Sequence, residues 1–175
     1  KSIMRHFTVL VLLGLFIGTQ AVNLTDLLEA LNTTETTWLK RRTYNVLGHT
    51  CVYINKIFLN ETNYGFEQGY RAGETLVNHT LYATLGEGNG TGPWMEVHRS
   101  PGTPGLKYFL KYWNGTEKCG ILKVHLQGQD QYEMHKWNST VEEEGSECTK
   151  KYEGLRGGNH SYEIYSPSCR SGNTN

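Results

Sequence analysis

From residue 36 to residue 137 the chain shows almost no helical periodicity. It reads as eight successive short runs rich in β-branched and aromatic residues, among them TTWLKRRTYNV, CVYINKIFL, TLVNHTLYATL, LKYFLKYW, KCGILKVHL and QYEMHKW. Gly, Asn or Pro clusters bound each run, and a ninth, SYEIYS, follows near the C-terminus. Such residues suit a pleated, half-buried surface. A succession of strands joined by short turns implies an antiparallel sandwich or a closed up-and-down barrel. The Asn-Gly pair at 114–115, set between two of these runs, predicts a tight hairpin turn. Helices belong only to the two ends. Leu24, Leu27, Leu28 and Leu31 recur at helical spacing, and the charge-dense 139–158 ends in Gly157-Gly158. The acidic run 142–144 is expected on the charged side of that second helix. The glycine-rich 86–93 and 100–105 look like exposed loops, and no internal repeat is present.

The first residues set the compartment. Arg5 and His6 precede an unbroken apolar run from Phe7 to Ile17, closed by Thr19-Gln20-Ala21. This is the layout of a secretory signal peptide, with Met4 the expected start and cleavage expected after Ala21. The run is shorter than the ~20 apolar residues of a membrane span. One domain, 22–175, remains. Cleavage removes two of the 17 basic residues and none of the 17 acidic ones, so charge implies neither nucleic acid nor an anionic membrane as partner. All four cysteines lie in the mature part, where an even count predicts two disulfides and spacing alone leaves three pairings open. Their spacing lacks the short pairs of a zinc site, and no cofactor or metal is expected.

Acceptor triplets for N-linked sugars begin at Asn23, Asn32, Asn60, Asn78, Asn89, Asn114, Asn138 and Asn159. Random placement of the same residues would give roughly two. The excess predicts a secreted glycoprotein, and it also fixes facing. A sugar on Asn78 must point to water, which turns Val77, His79, Leu81, Ala83 and Leu85 inward. The same argument at Asn138 turns Glu133, His135 and Trp137 inward. An acid, an imidazole and an indole on one inner face describe the wall of a ligand cavity better than a packed core.

The segments TTWLKRRTYN, TCVYI, YFLKYWNGTEKCGILKV and YEMHKW…ECTKKY…YEIYSPSC, in this order, resemble the tick salivary lipocalins, the arthropod branch that includes histamine-binding proteins. The resemblance covers most of the mature chain and rests on cysteine placement and the Trp-Arg-Tyr first strand. It implies an all-β, eight-stranded antiparallel lipocalin barrel with short N-terminal and C-terminal helices. It also implies the pairings Cys51–Cys169 and Cys119–Cys148. The chain departs from the common lipocalin G-x-W, since Thr36-Thr37 precede Trp38. Where amine-binding members tend to carry Glu-Leu-Trp, it has Glu133-Met134-His135. With only two aspartates, Asp26 and Asp130, it has few acids for an ammonium ligand. The dense acceptor triplets and cysteine spacing are also similar to those of a sterol-holding, immune-modulating member of the branch.

The expected ligand-binding residues are therefore Glu133, His135, Trp137, His79, Leu81, Tyr108 and Tyr112, within a wall dominated by Val77, Leu81, Leu85, Leu122, Val124 and Leu126. Trp38 is expected to plug one end of the barrel. No G-x-S-x-G occurs and the cysteines are committed to disulfides, so no catalytic residue is expected. The function expected is a secreted, monomeric carrier of a small, mainly hydrophobic ligand, a sterol or lipid mediator, that modulates host immune or inflammatory responses. The alternatives are a scavenger of histamine or serotonin, and an immunomodulator that binds a host immune-cell surface protein.

Overall fold

The structure, a computed structural model, describes residues 21–144 and 146–172. The apolar run expected to form the signal peptide lies outside the described residues. Helix α1 (Leu24–Leu31) opens the fold, followed by eight strands: β1 (Thr37–Arg42), β2 (His49–Leu59), β3 (Asn63–Ala72), β4 (Thr75–Gly88), β5 (Gly92–His98), β6 (Leu106–Asn114), β7 (Cys119–Leu126) and β8 (Gln129–Trp137). Helix α2 (Glu147–Arg156), a short β9 (Tyr162–Glu163) and a 3₁₀ turn (Pro167–Gly172) complete it.

Every neighbouring pair is antiparallel. β8 returns to β1, and β1 pairs with β2 at Thr37↔Ile54 and Trp38↔Tyr53. The eight strands thus close on themselves, which leaves no long free edge. β9 adds to the open part of β1 at Arg41↔Glu163 and Arg42↔Tyr162.

Alternation along the strands fills the interior. Leu27 of α1 joins Tyr64, Phe66, Ala83, Leu85, Met95, Leu110 and Leu122 in the inner core. The apolar stripe of α1 is what closes this end of the barrel. The helix starts on a capping box between Asn23 and Asp26, which satisfies two otherwise orphaned N–H groups. Inward pointing of Leu81, Ala83 and Leu85 agrees with the facing read from Asn78.

The hairpin at Asn114 forms, but its turn is longer than the expected two residues. Gly115–Lys118 lie between the strands, and the Asn114 Oδ1 accepts from the N–H groups of Thr116 and Glu117, both at 3.0 Å. The next residues dock α2. Glu117 accepts from the first N–H groups of that helix, at Glu147 and Cys148, both 2.9 Å away. Burial works against the Glu117 charge, but these two hydrogen bonds hold its pKa below the usual range. Cys119 is bonded to Cys148, and Cys51 to Cys169, the pairings the resemblance implied. Gly157, at φ 58°, ends α2.

Two expectations about the outer wall change. Trp38 is 2% exposed but lies outside the barrel interior, packed with Tyr53, Val141, Tyr165 and the Cys51–Cys169 bridge. Its partner in register, Lys136, points out with it, whereas Thr37 points in. The acidic run 142–144 precedes α2 and is not helical. Glu144 pairs with Lys40 at 2.5 Å, Glu142 accepts from the Tyr165 hydroxyl at 2.9 Å, and the Glu143 carbonyl takes the buried Lys136 ammonium at 2.9 Å. These groups pin 139–144 across the barrel, because two buried lysines there need acceptors.

Candidate ligand-binding site

The interior beyond α1 holds two adjacent spaces. Beneath the helix is a small pocket of about 50 Å³ lined by Leu27, Ala30, Leu31, Trp113 and Trp137, among others. The Trp137 indole N–H donates to the Ala30 carbonyl at 3.2 Å, tying helix to barrel. Toward the opposite end lies an open pocket of about 520 Å³. Ile54, Phe66, Met95, Leu122 and His135 border both spaces. Leu81, Val97, Leu106 and Tyr108 add apolar wall to the larger one, and Gln68, His79, His98, Arg99 and Glu133 add polar groups.

Glu133 is the single carboxylate among the pocket's described lining residues, only 5% exposed. β8 alternation places it on the same face as His135, whose Nε2 lies 2.8 Å from one carboxylate oxygen. The other oxygen accepts from the Tyr44 hydroxyl. Tyr44 follows the end of β1, which closure sets beside β8, and its ring stacks under the Arg42 guanidinium at 5.0 Å. The buried Arg42 donates to the carbonyls of Val46 and His49. Burial opposes ionisation of Glu133 most strongly. The His135 hydrogen bond and charge, then Tyr44 and Arg42, outweigh it and hold the Glu133 pKa below its ordinary value. Burial, followed by the Glu133 charge, pushes the hydroxyls of Tyr44 and Tyr108 well above the usual tyrosine range. The result is a buried, ionised carboxylate with one hydrogen-bond partner on each oxygen.

Of the expected residues, Glu133, His135, His79, Leu81 and Tyr108 border the larger pocket, and Trp137 borders the inner one. Tyr112 does not join them. A bulge between Leu110 and Tyr112 reverses the alternation of β6, so Tyr112 packs outward with Cys119, Cys148 and Tyr152. The wall is also less aliphatic than expected: Val77, Leu85, Val124 and Leu126 do not border the pocket, while Gln68, His98 and Arg99 do. Tyr44 and Arg42 were missed, and the only local signal for them is the polar end of the first strand run.

A closed eight-stranded antiparallel barrel, stopped by a helix at one end and hollow at the other, defines a lipocalin-type ligand-binding protein. The model of the tick histamine-binding protein family matches residues 19–171, and the chain belongs to that family. Solved structures that it resembles include AM182 in complex with serotonin, with a TM-score of 0.63 and 18% identity, covering 82% of this chain and 91% of that one. Japanin from Rhipicephalus appendiculatus bound to cholesterol aligns with a TM-score of 0.58 and 11% identity, covering 80% of this chain and 98% of that one. No curated protein sequence matches the chain significantly.

Proposed function

We propose that the protein is a secreted, glycosylated carrier that takes one amphipathic ligand, an apolar body with a single polar head of the sterol or lipid-mediator type, into the open end of its barrel. The observation that carries this reading is the state of Glu133. It is the one carboxylate among the pocket's described lining residues, and His135 and Tyr44 already engage its two oxygens, with the Arg42 charge adding to their effect. An ammonium ligand would meet the field of Arg42 and compete with an existing hydrogen bond. An apolar body meets neither obstacle. Each Å² of apolar surface it buries contributes roughly 25 cal/mol, and the floor of Ile54, Phe66, Met95 and Leu122 is available to it. Arg99, His79 and His98 stand among the pocket's polar groups to receive a polar or anionic head. Sequestration of such a mediator is the route by which the protein would modulate host immune or inflammatory responses.

A biogenic amine is the second reading, favoured by one feature: Glu133 is ionised and shares its pocket with Phe66 and Tyr108, the carboxylate and aromatic faces that an ammonium seeks. Native mass spectrometry and lipid extraction of the secreted protein, followed by competition calorimetry with histamine, serotonin, a leukotriene and cholesterol, separate the two. Tight histamine binding abolished by Glu133→Gln would reverse the ranking, and binding of no small molecule would favour a role on a host cell-surface protein. Enzymatic deglycosylation of the same sample should lower its mass substantially if the sequons carry sugars.

A further inference from the structure

We infer that Tyr44 sets the ligand class of the pocket by masking Glu133, so that removal of one hydroxyl group converts the barrel from excluding amines to accepting them. The inference rests on the reading of the pocket as a lipid-type site. Three observations carry it. The Tyr44 hydroxyl donates to one Glu133 oxygen while His135 lies against the other, and with the side chain only 7% exposed a ligand donor reaches the remaining lone pairs by moving one of these partners aside. Tyr44 reaches the carboxylate across 89 residues of sequence, from the 43–48 segment that joins β1 to β2. That segment ends in a freely exposed tip, with Leu47 at 87% exposure, so the masking group sits on a connection and not on the barrel wall. Burial and the adjacent carboxylate keep the Tyr44 hydroxyl protonated, and thus a donor, at any physiological pH.

A hydrogen bond to a charged group is strong enough that displacing it weakens a competing ligand about ten- to a hundredfold. Tyr44→Phe removes the donor alone. The ring remains to pack under Arg42, and one oxygen of a pocket-lining carboxylate loses its protein donor. Tyr44 is thus a specificity-determining residue, a role distinct from that of a side chain that grips the ligand.

The test is calorimetric titration of the full secreted protein and its Tyr44→Phe variant with serotonin and, in parallel, with cholesterol. Serotonin should bind the variant at least about tenfold more tightly than the wild type, and Tyr44→Phe/Glu133→Gln should lose that gain. Cholesterol affinity should stay within about threefold, a change too small for a lost charge-assisted hydrogen bond. A second readout needs no ligand: the Glu133 carboxyl carbon, followed by NMR, should titrate at a higher pH in Tyr44→Phe, since a donor to its charged form is gone. Unchanged serotonin affinity in a variant with an unchanged near-UV spectrum overturns the inference, and so does an unmoved Glu133 titration. Tight serotonin binding by the wild type, equal in Tyr44→Phe, overturns it and the lipid reading together. A tenfold gain for serotonin with no cholesterol binding by either protein supports the masking role and removes the lipid reading alone.

Discussion

The Glu133 network should declare itself in the pH dependence of stability. Glu133→Gln keeps the shape of the side chain and deletes its charge. A hydrogen bond to a charged group contributes about 1.5–3 kcal/mol, and the Glu133 carboxylate accepts from Tyr44 and lies against His135. Here Arg42 keeps the Val46 and His49 carbonyls and the face of Tyr44, and the Gln oxygen still accepts one hydrogen bond. The expected loss at pH 7 is therefore about 2–3 kcal/mol, the weakening of charge-assisted hydrogen bonds to neutral ones. For a chain of this size each kcal/mol lowers Tm by about 2–4 °C. The Glu133 pKa is depressed in the fold, so its contribution is complete above the ordinary value of 4.5 and disappears as the pH falls through the lower folded value. Both proteins weaken in acid, since Glu117, Asp130 and Glu144 are also depressed. Only the gap between them isolates Glu133. Urea unfolding followed by tryptophan fluorescence at pH 7, 5, 4 and 3 should show a constant gap down to pH 5 that narrows below it. A gap that persists undiminished at pH 3, or is absent at pH 7, would refute the reasoning.

Other consequences are open to the same unfolding assay. Asn138→Ala should cost about 1–2 kcal/mol, because the buried Trp38 indole N–H loses its acceptor at 2.9 Å; Asn138→Asp keeps an acceptor and should recover most of the loss. Gly69→Ala should destabilise by about 1–3 kcal/mol, since a Cβ there would stand 2.3 Å from the Tyr53 ring that lies across it; a neutral result would show that the ring moves aside freely. Removing the Cys51–Cys169 bridge, which spans 118 residues, should cost more than removing Cys119–Cys148, which spans 29. Loop-closure entropy gives about 4.9 and about 3.6 kcal/mol respectively, and paired Cys→Ala variants that reversed this order would show that local packing around α2 outweighs chain entropy.

Local pattern carried the strand succession, the leucine stripe of α1 and the β8 face that presents Glu133, His135 and Trp137, because side-chain alternation depends only on neighbours in the chain. The disulfide pairing needed the family resemblance, since four cysteines leave the choice open. What no local rule supplied was the effect of closure. Joining β8 to β1 brings Arg42 and Tyr44 to Glu133, and a pair 89 residues apart leaves no periodic trace in the sequence. The bulge in β6 that turns Tyr112 outward is likewise a tertiary decision: one extra residue reverses the facing of all that follow, and the aromatic-rich run around it reads the same in either phase. Trp38 and the 142–144 glutamates were misassigned for a related reason. An apolar or charged side chain on an outer strand face is buried or paired only when another segment crosses it. The sequence alone therefore determined an antiparallel strand succession between two helices, with an even cysteine count and an acid on the inner face of one strand. The tertiary structure decided that this acid is already satisfied, because the barrel's closure sets a tyrosine, a histidine and an arginine around it.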